Sequence, residues 1–235
     1  MRAWCWLAAC GVVLTSSLLL AQKPAGQSER FDLLVREDFF AGIFGDEARL
    51  DRGMKYCEDI LAKNPNHAQA LVWHGSGLIT RASSVYARGD TAAGDRMWQQ
   101  GLYEVNRARE LAPDDMGVKI GRSALLLGMA SSGFDPNDSE GRKLLESAVR
   151  DYELVYEVQK SQLARLSSHS RGELLFGLAA GWSRLGNEAE TRRYLETIVR
   201  ECAGSGYEKE ARSDLLKKPF GVVDHSCIGC HVNKK

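Results

Sequence analysis

Apolar residues in this chain recur at spacings of three and four, and no stretch alternates as a half-buried strand would. Leu50, Met54, Cys57, Ile60 and Leu61 share one helical face. Trp98, Leu102, Val105, Ala108 and Leu111 form a second stripe. Leu144, Leu145, Ala148, Val149, Tyr152, Val155 and Val158 give a third, within 139–166. Leu174, Leu175, Leu178, Ala179, Trp182 and Leu185 give a fourth, and Tyr194, Leu195, Ile198 and Val199 a fifth. All five prolines, Pro24, Pro65, Pro113, Pro136 and Pro219, fall between these stripes, where a residue without an N–H is tolerated. The pattern predicts an all-α chain of antiparallel helix pairs.

Charge narrows the partners. Lys plus Arg number 31 and Asp plus Glu 31, so the 235-residue chain is formally neutral, unlike one built to coat nucleic acid. Charged residues at 26% and hydrophobic residues at 44% are ordinary globular values.

The first residues read as a targeting segment. Arg2 is the only charge before Lys23, and the run between them is apolar apart from Thr15, Ser16 and Ser17. A short positive start followed by an apolar run is a secretory-signal pattern, with cleavage expected after Ala21. The run also approaches the length of a membrane span, so an uncleaved anchor is the competing reading. Either way the chain is expected outside the cytoplasm, periplasmic or otherwise exported, and in contact with a membrane only if the segment stays. Cleavage would remove Cys5 and Cys10 and leave Cys57, Cys202, Cys227 and Cys230. In an oxidising compartment Cys57 and Cys202 could pair, although Cys57 also fits a core position.

The turns carry a resemblance. Lys63-Asn64-Pro65-Asn66 and Leu111-Ala112-Pro113-Asp114-Asp115 each close one helix and open the next. Counting back from Pro65 places Ala41, Phe44, Gly53, Cys57 and Ile60 on small-or-apolar repeat positions; counting back from Pro113 places Gly101, Val105 and Ala108. Leu178-Ala179, Trp182, Leu185-Gly186-Asn187, Thr191, Leu195 and Ile198 give the fullest match. Over roughly residues 31–212 the chain resembles a divergent tetratricopeptide-repeat protein, whose unit is a helix–turn–helix of about 34 residues. Pro65 and Pro113 are further apart than one such unit, so the helix around 68–88 must be extended, and 116–168 fits no register. An irregular helical bundle is the alternative. The resemblance implies paired antiparallel helices stacked as a superhelical array, with a groove that binds a protein partner. His74 and Trp73 are candidate groove residues, or packing residues. His74-Gly75-Ser76-Gly77 sits in a helical pattern and lacks the strand–turn–helix setting of a hydrolase nucleophile.

The strongest chemical signal lies near the end of the sequence. Cys227-Ile228-Gly229-Cys230-His231 is C-x-x-C-H, the attachment motif of c-type haem. Two thiols at this spacing can each form a thioether with one vinyl group of the same haem, and the adjacent His can bind its iron. The motif resembles that of c-type cytochromes over residues 224–232 only. It implies one covalent haem c, with Cys227 and Cys230 as anchors and His231 as axial ligand. Distal candidates are His225 and His169, and an open sixth position is a further possibility. Cytochromes c′ carry the motif near the end of a helical bundle, but Pro219, Gly221, Val222 and Val223 disfavour a helix running into Cys227. A disulfide or a zinc site formed by these cysteines is the competing chemistry, and four zinc ligands within seven residues would strain a tetrahedron.

The expected organisation is thus a signal or anchor at 1–21, a linker at 22–30, a helical repeat domain at 31–216 and a haem-attachment tail at 217–235. The tail holds four Lys against one Asp, a basic rim suited to an acidic redox partner. Electron transfer coupled to protein–protein interaction is the expected function, with no nucleic acid bound and no catalytic residues assigned. A purely structural scaffold and a haem enzyme or sensor with an open distal site are the alternatives.

Overall fold

A computed structural model describes residues 30–132, 138–217 and 223. Among them are nine α-helices and one short 3-10 helix, and no strand. The helices are α1 (Phe31–Ile43), α2 (Glu47–Leu61), α3 (Ala68–Ala87), α4 (Thr91–Leu111), α5 (Met116–Ser132), α6 (Ser139–Gln159), α7 (Ser168–Arg184), α8 (Glu188–Glu201) and α9 (Gly206–Leu215). The 3-10 helix, Lys160–Arg165, follows α6. The chain is therefore an all-α array, as the periodicity predicts. The extended helix expected around 68–88 is α3.

Consecutive helices pack as hairpins: α1 with α2, α3 with α4, α5 with α6, and α7 with α8. The first helix of a pair also touches the first helix of the next, so α1 meets α3, α3 meets α5, and α5 meets α7. Three hairpins share one turn. Gly45, Gly89 and Gly186 adopt left-handed backbone angles (φ 95°, 88° and 77°), where a side chain would be strained. The next residue, Asp46, Asp90 or Asn187, donates its N–H back to Ala41, Val85 or Trp182 and closes the finished helix. Its side chain then caps the new one by accepting from Arg49, Ala93 or Glu190. The sequence reading singled out this step only at Gly186-Asn187; the same Gly-Asp dipeptide at 45–46 and 89–90 marks the other two. Between pairs, Pro65 and Pro113 sit in the turns, with His67 and Asp115 as caps.

Three apolar clusters fill the array. One gathers Phe31, Val35, Phe39, Leu50, Met54, Cys57 and Ala70 from α1, α2 and α3. A small one joins α3 to α4 and α5 through Leu71, Val72, Ala108 and Val118. The largest lies mainly among α5–α9 and includes Tyr152, Phe176, Tyr194 and Val223. The repeat count is corrected at its start. Ala41 is only half-buried and Phe44 is 49% exposed in the turn, while Phe39 and Gly42 take the core. Val158 also leaves the predicted stripe, at 60% exposed, because α6 ends one residue later.

Cys57 and Cys202 are free, buried thiols in different clusters, so they do not pair. Burial pushes the Cys57 thiol up to about 12 and raises that of Cys202, which leaves both protonated and unreactive at neutral pH.

Candidate functional site

Cys227, Cys230, His231 and His225 lie outside the described residues, as does the signal segment. The nearest described residue is Val223, four positions before Cys227. It is 2% exposed and belongs to the largest core cluster. Its backbone N–H donates to Ser183 Oγ at 2.9 Å. The chain leaves α9 at Leu215 and has returned to the C-terminal end of α7 by Val223.

That end of α7 borders a cleft of about 310 Å³ lined by Arg142, Glu146, Val149, Arg150, Trp182, Leu185 and Asn187. Two helices and the turn after the second supply it. The stretch of α6 from Arg142 to Arg150 gives both arginines, Glu146 and Val149, the last turn of α7 gives Trp182, and the α7–α8 turn gives Leu185 and Asn187. Trp182 is oriented by its Nε1–H, which donates to Glu153 at 2.8 Å. Glu153 also accepts from the Tyr194 hydroxyl at 2.7 Å, and burial raises the Tyr194 pKa further than that hydrogen bond does. Arg142 pairs with Glu146 one turn away at 3.2 Å. Arg150 is exposed. Sequence reasoning missed this cleft, because its residues come from separate elements and no local spacing connects them.

The other candidates are held by side-chain contacts. His169 is exposed in the first turn of α7, two residues after the cap Ser167. Its Nδ1 lies 2.8 Å from the Tyr207 hydroxyl, which in turn donates to Glu173 at 2.7 Å. Trp73 packs its ring 5.2 Å from Phe39 and 6.3 Å from Phe40, between α1 and α3. His74 Nδ1 contacts Glu104 on α4 at 2.6 Å, and its Nε2 lies 3.8 Å from Glu58. Both therefore serve packing between helices. His74-Gly75-Ser76-Gly77 runs inside α3, where the Ser76 hydroxyl donates to Val72 O, so no nucleophile loop forms. Among the described residues no cluster of three His, Cys, Asp or Glu could hold a metal ion. No helix described is long and apolar enough to cross a membrane.

Comparison with protein-family models, curated proteins and solved structures finds no match to this chain.

Proposed function

We propose that this is an exported electron-transfer protein, a tetratricopeptide-like helical scaffold carrying one covalent haem c. Cys227 and Cys230 hold the haem by thioethers and His231 binds its iron. A haem held there would supply one-electron chemistry between partner proteins. The helical array docks the partner. The repeat reading is supported by the Gly-Asp/Asn hairpins and by contact between the first helices of successive pairs. Four Lys in the tail favour an acidic redox partner.

The observation that carries the haem is the C-x-x-C-H sequence itself. The competing redox reading, C-x-x-C in a βαβ unit, calls for strands, and the described residues hold none. The described thiols do not compete for the attachment chemistry, since Cys57 and Cys202 are buried and protonated.

Expression of the full chain in a host competent for cytochrome c maturation tests this. We expect haem staining that survives a denaturing gel, a sharp α-band on reduction, and loss of both in C227A/C230A. A colourless protein sinks the proposal and leaves a structural scaffold with a disulfide or metal tail. Staining that persists in the double variant would place the haem elsewhere.

A further inference from the structure

Val223 is the feature with the longest reach. A residue 2% exposed in the main core, with its N–H on Ser183, is a fixed point, so the motif that follows starts from the body of the protein. Only Asp224, His225 and Ser226 separate it from Cys227. Even fully extended, that places the Cys227 Cα within about 14 Å of the Val223 Cα. Trp182, on one wall of the cleft, is the residue before Ser183, so that wall is within reach of this length of chain.

The cleft suits one edge of a haem. Val149, Trp182 and Leu185 offer apolar and aromatic surface, and Arg142 and Arg150 stand on its rim. A c-type haem is an apolar macrocycle with two carboxylates, and Arg is the side chain whose fork matches a carboxylate. The cleft lining sets two arginines against one carboxylate, Glu146, which pairs with Arg142 at 3.2 Å, so one positive charge is in surplus. Arg109 and Arg122 already converge on the single buried Asp151, and Arg150 adds a further cation close enough to disfavour the charged form of Arg122. An anionic group in the cleft would relieve that surplus. Its volume falls at the low end for ligand clefts, enough for an edge of the ring and not for the whole.

We infer that the C-terminal segment 224–231 docks its haem into this cleft, with the macrocycle edge on Trp182 and Leu185 and a propionate toward Arg142 and Arg150. This rests on the haem reading above. It removes His169 from the distal candidates. His169 and Ser183 are fourteen residues apart on α7, about 21 Å along the axis.

Hydrogen exchange tests the docking on haem-loaded full chain against haem-free C227A/C230A. We expect slower exchange in the loaded protein over 142–150 and 182–187, with α2 unchanged as control. In the loaded R142E/R150E variant the reduction potential should fall below that of the wild type, because two cations that disfavour ferric iron are gone. H169A should leave the visible spectrum unaltered. A stained protein with equal exchange over both segments, or an altered spectrum in H169A, overturns the docking and leaves the haem reading standing. A protein without haem overturns both. Should R142E/R150E fail to fold, the exchange comparison decides by itself.

Discussion

The α3–α4 and α5–α6 hairpins reach the same end by different means. In the first, Gly75 and Gly101 let two backbones touch. A Cβ on Gly75 would stand 2.7 Å from the Gly101 carbonyl oxygen, and one on Gly101 would stand 2.6 Å from that of Gly75. Gly89 and Asp90 make its turn. In the second, the helices are joined by buried polar groups. Asp151, fully buried, accepts from Arg122 of α5 at 2.9 Å and from Arg109 of α4 at 2.8 Å. Arg122, 3% exposed, also donates to Asn106 on α4, and Ser123 Oγ donates to Ala148 O across the pair. Close approach through glycine depends on the absence of atoms. Approach through ions depends on every partner being present. The second kind of hairpin should therefore be the more fragile to a single truncation.

Removal of the Asp151 carboxylate is the severest test. D151A leaves Arg122 buried without its counter-ion, and we expect a loss of about 3–5 kcal/mol in denaturant unfolding. R122M/D151L, which removes the buried pair together, should lose much less. Equal losses in the two proteins would mean that the pair contributes by packing and not by charge. The glycine contact comes next. G101V drives a branched side chain against a carbonyl that belongs to a helix and cannot swing aside, so we expect about 1–3 kcal/mol, read as a lower midpoint. G128V, where a Cβ meets nothing within 4 Å, is the control for helix propensity alone. Loss of the cap in D90A should cost about 1 kcal/mol.

The smallest effect is electrostatic and lies outside both hairpins. Arg52 and then Arg49 hold the Asp38 carboxyl below its usual range, against the opposing effect of burial. A carboxyl whose pKa is lower folded than unfolded stabilises the fold above its unfolded value, and the gain is lost as pH falls through the folded value. D38N should therefore be less stable than wild type at pH 7, within about 1 kcal/mol, with the gap closing below pH 4. A gap that is constant with pH would assign the effect to packing.

The contrast also marks what was legible beforehand. The glycine hairpin was partly readable: Gly101, Val105 and Ala108 fell on repeat positions, and all three are buried. Gly75 was noticed only as part of a false nucleophile motif. The ionic hairpin gave no such sign, and 116–168 fitted no repeat register. Asp151 and Arg122 look like solvent-face residues on amphipathic helices, and only their meeting makes them interior. Phe44 shows the opposite error, an apolar residue counted as core that stands exposed in a turn.

The sequence by itself determined the helical class, the breaks between helices and the C-x-x-C-H pattern. Each of these is local: three- and four-residue spacing, a missing N–H at proline, two thiols and an imidazole within five residues. The tertiary structure alone decided which charges are buried together, which helices touch backbone to backbone, that Cys57 and Cys202 stay apart, and that Val223 returns to α7. These depend on residues distant along the chain. Burial raises the energetic stake of each such meeting, and no local spacing records which residues will meet.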